Sequence, residues 1–173
     1  MGIQQFFIDK KIKEVASKSK SLKEQLLLSK ISKVAIFVDE TTAFDDEKFI
    51  ELQNIIKLDN THFSILTYKD KKSNFNEFRG AVILQNEVNW QGKVTSKEVK
   101  AFLDNEFDLL IDYTLANNQK KQLIVAHIQA ALKVGFLDTN DSLYDFMVDI
   151  ESSEVSLFNK ELVRYLTILK LIK

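Results

Sequence analysis

Two short groups of side chains in this 173-residue chain could do polar chemistry. Asp39, Glu40, Thr41 and Thr42 follow the unbroken apolar run Val34-Ala-Ile-Phe-Val38, and Asp112, Tyr113 and Thr114 follow a second run, Phe107-Asp-Leu-Leu-Ile111. Carboxylates and hydroxyls at the carboxyl ends of strands can bind a small polar ligand, and clustered carboxylates can hold Mg²⁺. The plainer use of such acids is to cap helices and solvate loop ends. Phosphate cradles need glycine so that backbone amides can approach, and the chain contains neither G-x-G-x-x-G nor G-x-x-x-x-G-K-[ST]. Dinucleotide and NTP binding by those routes are excluded. With no cysteine, and with His62 and His127 far apart, thiol catalysis, disulfides and Cys-based zinc sites are excluded too, and little remains for a His-based metal site. The expectation is therefore no catalytic set, no metal and no cofactor, with Asp39 to Thr42 and Asp112 to Thr114 as ligand-binding candidates.

Charge supplies a second candidate surface. Residues 1–33 carry eight lysines against Asp9, Glu14 and Glu24, a local +5 in a chain of net charge −1. The remaining 140 residues thus sum to −6, which describes a basic arm on an acidic body. Ile8, Ile12, Val15, Leu22 and Leu26 recur at steps of three and four, so residues 3–28 form one helix, or two broken near Ser17 to Ser21. Such a stripe packs on its own body first. The lysines Lys10, Lys11, Lys13 and Lys18 then offer a surface to a protein partner, to RNA or to an anionic membrane surface.

These groups need elements to position them. Val34 to Val38 reads as a strand covered on both faces, and Thr42 with Asp45 has capping-box spacing ahead of a helix buried through Phe49, Leu52 and Ile56. His62 to Tyr68 is a second strand and Ala81 to Leu84 a third; Asn89-Trp-Gln-Gly92 is a turn, with Trp90 covering a core edge. Thr95 and Glu98 form a capping box before a helix containing Val99, Phe102 and Leu103. Phe107 to Asp112 and Ala131 to Phe136 are neighbouring strands joined by a crossover helix with His127 at its edge, and Asp138 follows the second of them. Phe146 to Ile150 is a short edge strand or part of a helix. Val155, Phe158, Leu162, Tyr165, Leu169 and Ile172 predict a terminal helix of nearly five turns. The expected fold is α/β: a Rossmann-like three-layer arrangement with a mostly parallel sheet of four or five strands, ordered 3-2-1-4-5, plus N- and C-terminal helices. The expected organisation is a single domain: a basic helical segment (1–33), an α/β core (34–150) and a closing helix (151–173).

Residues 95–136 resemble part of the heptosyltransferase-type glycosyltransferases. The resemblance rests on Phe107-Asp-Leu-Leu-Ile-Asp112 and on Ala130, Ala131, Lys133, Val134, Gly135 and Phe136. It implies the N-terminal, acceptor-side Rossmann-like half of that family, although the Gly-Asp turn found there after the first strand is here Asp39-Glu-Thr-Thr42. Taken whole, the basic N-terminal helix, Asn89-Trp-Gln-Gly-Lys93 and Glu161-Leu-Val-Arg-Tyr-Leu-Thr-Ile-Leu169 resemble a small single-domain bacterial family of unknown function.

The chain has 45% hydrophobic and 28% charged residues, no apolar run long enough to span a bilayer, and no basic-then-apolar order at Met1 to Phe6. Those features set the expectation of a cytoplasmic protein. The functional expectation is a non-catalytic interaction or scaffold module with a basic N-terminal helix and a protein partner. The terminal helices also offer a homo-oligomer contact. The alternative expectation is a small-molecule or sugar-nucleotide-related binding protein.

Overall fold

A computed structural model of the chain describes residues 2–40, 42, 45–70, 80–89, 91–114, 118–137, 141–151 and 154–172. Among these residues lie five α-helices and six strands: α1 (Ile3–Leu28), β1 (Val34–Asp39), α2 (Asp46–Ile56), β2 (Phe63–Lys69), β3 (Ala81–Leu84), α3 (Lys97–Leu103), β4 (Glu106–Asp112), α4 (Gln119–His127), β5 (Gln129–Phe136), β6 (Phe146–Val148) and α5 (Val155–Ile168). The strands form one sheet in the order β3-β2-β1-β4-β5-β6, with every neighbouring pair parallel. This extends the expected order by one edge strand, because Phe146 to Val148 pairs with Val134 to Phe136.

All six residues of β1 are buried, which explains its unbroken apolar sequence. One face of the sheet is covered by α2 and α5, where Phe49, Leu52, Phe158 and Leu162 meet Ile36, Ile111 and Val134. The other carries α3, α4 and the start of α1, where Val99, Leu123 and Ile8 meet Phe37, Leu66 and Leu110. Helix α1 is one continuous helix that packs on the body: Ile8 joins the second core and Leu26 the first. An ion pair from Lys23 to Asp145 holds its later part, and just beyond it Lys30 Nζ donates to the carbonyls of Lys170 (2.7 Å) and Ile172 (3.2 Å).

Several element boundaries differ from expectation for local reasons. Asp45, not Thr42, caps α2 by accepting from Lys48 N (2.9 Å), since the Thr42 hydroxyl is engaged with Asp39. Ser96, one residue after Thr95, caps α3. His62 sits in a short 3₁₀ turn ahead of β2, with Nδ1 2.6 Å from the Ser32 carbonyl. Helix α5 stops at Ile168 instead of reaching Ile172. Lys170 adopts the left-handed conformation (φ 58°), and the amides of Lys170 and Leu171 bond back to Thr167 and Leu166, a Schellman ending. That reversal buries Leu171 and Ile172 as a tail and so preserves their apolar role without helix. The Asn89 turn forms as expected, with Asn89 Oδ1 accepting from Gln91 N and Lys93 N (2.9 Å each) and Gly92 at φ 79°. Trp90 and Asp138 lie outside the described residues.

Phe158 is the hub of the first core, fully buried with its ring centroid 4.5 Å from Phe136 and 5.2 Å from Tyr113. Phe158→Ala should cost about 3–5 kcal/mol of unfolding free energy, read by urea denaturation, because the three-ring cluster cannot collapse into the space left behind.

Candidate functional site

The sheet order reverses between β1 and β4, and a crevice beyond the carboxyl ends of those strands is where an open α/β sheet binds ligands. Side chains alternate along a strand, so Asp39 shares the face of Phe37, and Asp112 that of Leu110; both face the α4 layer. Phe37 stands opposite Asp112 in register, and Asp39 opposite Tyr68 of β2. On the far side, Tyr144 lies across Gly135 of β5. A Cβ at Gly135 would be 2.7 Å from the Tyr144 ring, so only glycine lets the Tyr144 hydroxyl reach Asp112 Oδ2 (2.5 Å). The result is a row across the sheet: Tyr68, Asp39, Asp112, Tyr144.

Lys121, from the first turn of α4, closes the row from above. Its Nζ donates to Asp39 Oδ2 at 2.5 Å and lies 5.3 Å from the centre of the Tyr68 ring. Both ends of this ion pair are buried, Asp39 at 5% and Lys121 at 7% exposure. The Thr42 hydroxyl donates to Asp39 Oδ1 (3.0 Å), and Thr114 N donates to Asp112 Oδ1 (2.7 Å). The Tyr68 hydroxyl is buried, and the Asn118 side chain is the hydrogen-bonding group that reaches it.

The expected open rim of acids and hydroxyls is thus a closed network, and its members divide by face. Asp39, Thr42 and Asp112 come together as expected, while Thr114 contributes its backbone amide. Tyr113 does not belong to the rim: it is fully buried on the opposite face, its hydroxyl donating to Asn159 Oδ1 (2.5 Å), because one step along the chain turns a side chain to the other side of the sheet. Glu40 is exposed and accepts from Asp70 N (3.3 Å); Thr41 lies outside the described residues. Lys121, Tyr68 and Tyr144 were not singled out by sequence reasoning. The one legible signal for Lys121 was a lysine two residues ahead of the apolar run Leu123 to Ala126 of α4, where helix geometry turns it toward the sheet.

Burial sets the electrostatics. Asp112 is pushed up to about 6, chiefly by burial and further by the Asp39 charge, against the hydrogen bonds from Tyr144 and Thr114. The Tyr68 phenol is pushed up to about 12 by burial and then by Asp70. Beneath α4, burial pulls Lys133 of β5 down to about 8, and its Nζ donates to the Val125 carbonyl (2.7 Å). Among the described residues no group of three or more His, Cys, Asp or Glu could hold a metal ion. The cluster can accept hydroxyls on its carboxylates and donate from Lys121 and the phenols.

The second candidate surface is on α1. Lys10 and Lys13 are exposed, Lys11 is half-buried and paired with Glu14 (3.0 Å), and the Lys18 side chain lies outside what the structure describes. Ile3 (71% exposed) and Phe6 (57%) fall on the same outward stripe as Lys10 and Lys13 by helical spacing. Lys11 also lines a groove of about 350 Å³ with Lys93, Lys100 and His127.

A family model described as "Family of unknown function (DUF6913)" matches residues 4–169. No curated protein and no solved structure matches the chain.

Two outcomes follow from the network. Lys121→Met removes the ammonium from the buried Asp39 carboxylate and should cost about 3–5 kcal/mol, most of it recovered when Asp39→Asn is added; urea unfolding of the two variants checks this. Folding raises the Asp112 pKa from 3.8 to about 6, so the folded state binds the extra proton and stability falls as pH rises through that window. Asp112→Asn should therefore gain on the wild type by up to about 3 kcal/mol above pH ~6 and lose that advantage below pH ~4 in a pH series of unfolding curves.

Proposed function

The chain belongs to the DUF6913 family of unknown function, and from that premise we propose that it is a non-catalytic interaction module, a Rossmann-like body carrying a basic N-terminal helix as its docking surface. The carrying observation is the outward stripe of α1, with Ile3, Phe6, Lys10 and Lys13 exposed on a helix whose Ile8 and Leu26 are anchored in the body. A helix fixed in this way loses little freedom when a partner docks, and its lysines favour an acidic protein surface by salt-sensitive attraction. RNA and an anionic membrane surface are the other partners that this charge suits. Exposed Leu157, Tyr165 and Ile168 on α5 support a contact between copies as part of the same reading. A cytoplasmic setting belongs to the proposal; among the described residues no helix is long and apolar enough to cross a membrane.

A second reading, a small-molecule-binding protein, is favoured by one observation: the strand-order reversal holds two buried carboxylates and a buried lysine. Ionisable groups are costly in such a place, and perturbed ones gather at functional sites.

The interaction reading is tested by affinity purification of the tagged chain at two salt concentrations. Lys10→Glu with Lys13→Glu should lower recovery of the salt-sensitive partner by on the order of tenfold at ~0.1 M salt while leaving the unfolding curve in place. Unchanged recovery would remove α1 as the docking surface.

A further inference from the structure

We infer that the outward face of α5 is a homodimer interface, on which the helix pairs antiparallel with α5 of a second copy of this chain through Leu157, Glu161, Arg164 and Ile168. This inference rests on the contact between copies in the interaction reading and supplies its surface, register and symmetry. The inner side of α5 is taken by Val155, Phe158, Leu162 and Leu166, whose steps of three and four turn them toward the sheet. Successive helical residues are rotated by about 100°, so Leu157, Glu161, Arg164 and Ile168 form a narrow stripe on the opposite side. Its apolar members are open, Leu157 at 41% and Ile168 at 65% exposure.

The steps along that stripe are four, three and four, the a/d spacing of a coiled-coil seam. Charge and symmetry then decide the occupant. Across a two-fold axis, residue i of one copy meets residue j of the other, and j meets i. With the axis between Leu162 and Val163, Leu157 falls opposite Ile168 and Glu161 opposite Arg164. Each end of the seam is then an apolar layer, and each central position joins opposite charges. A parallel pairing would set Glu161 on Glu161 and Arg164 on Arg164, so charge also selects the antiparallel orientation. An unrelated partner gives no reason for one face to complement itself in this way.

Within one copy, Glu161 and Arg164 touch at 3.5 Å with the Arg164 side chain 70% exposed, an arrangement that contributes little by itself. Between copies the same groups become a ring of two carboxylates and two guanidinium groups, closed at both ends by the Leu157–Ile168 layers. Burial of Phe158 and Leu166 already fixes the helix, so little further order is lost on pairing. The seam from Leu157 to Ile168 is about 16 Å long by the helical rise, which sets a weak dimer with Kd of roughly 10–100 µM.

The experiment is sedimentation velocity of the full chain from about 5 to about 500 µM, a range that brackets this affinity. The expected result is a dimer that grows with concentration. Glu161→Arg alone and Arg164→Glu alone each set like charges across the seam and should weaken it by at least about tenfold. An equimolar mixture of those two variants should restore the dimer, because opposite charges then meet at both central positions. The pair within one helix cannot produce that rescue, since each variant chain has lost it. Leu157→Ser should weaken the unmodified dimer, and all three substitutions, being on the surface, should leave the urea unfolding curve in place. A chain that stays monomeric over the whole range overturns the inference, as does a dimer that survives both charge variants or is not rescued by their mixture. None of these outcomes alters Lys10 or Lys13, so the α1 docking surface stands or falls on its own test.

Discussion

A parallel strand buried on both faces has no solvent to satisfy what its ends bring inside, and β1 is buried along its whole length. Its neighbour β4 is buried over its last four residues, so the centre of the sheet needs a helical layer on each side. Helices α2 and α5 supply one layer, and α3, α4 and the start of α1 the other. Once those layers are in place, the polar residues that end each central strand are enclosed with them. Asp39 and Asp112 are not rim residues that happen to be shielded. They are the points at which a doubly covered sheet has to resolve its own polarity.

The solution differs by face. On the side of α2 and α5, Tyr113 turns inward, stacks near Phe158 and bonds Asn159, so that polar contact becomes part of the core. On the side of α4, two carboxylates meet, and one lysine from the first helical turn neutralises the pair member on β1. Lys121 thereby ties α4 to a strand it does not follow in sequence. A buried ion pair of this kind is weak evidence for stability, since apolar residues of similar volume would serve as well. Its position where strand order reverses, with a second buried carboxylate beside it, gives the pair its functional interest.

Helix α1 solves a different problem. It contributes Ile8 to one core and Leu26 to the other, while Lys23 and Lys30 reach Asp145 and the carbonyls of the C-terminal tail. Part of the basic charge that stands out in composition is thus used within the fold. What remains outward is a narrower surface, Lys10 and Lys13 beside Ile3 and Phe6. The interaction reading depends on that remainder and not on the gross asymmetry.

The order and type of the elements were legible in the chain. Apolar runs marked β1, β4 and β5, three-and-four spacing marked α1 and α5, and alternation of the two pointed to a parallel sheet, while the strand order and the sixth strand at its edge were decided by pairing. These are local properties, fixed by periodicity and by the need to bury one face or two. Caps moved by one to three residues because adjacent Thr, Ser and Asp side chains compete for the same amides, and only the surroundings decide which hydroxyl is already engaged. The end of α5 was illegible for a similar reason: Leu171 and Ile172 fit the helical spacing, but the left-handed turn at Lys170 buries them better. At the crevice the sequence named Asp39, Thr42 and Asp112, which are close to their own strand ends. It could not supply Lys121, Tyr68 and Tyr144, because their relation to those carboxylates spans from 29 to 82 positions of chain and exists only through strand register and helix placement. Side-chain period determined what each segment would bury; the pairing of distant segments decided which polar groups had to face one another.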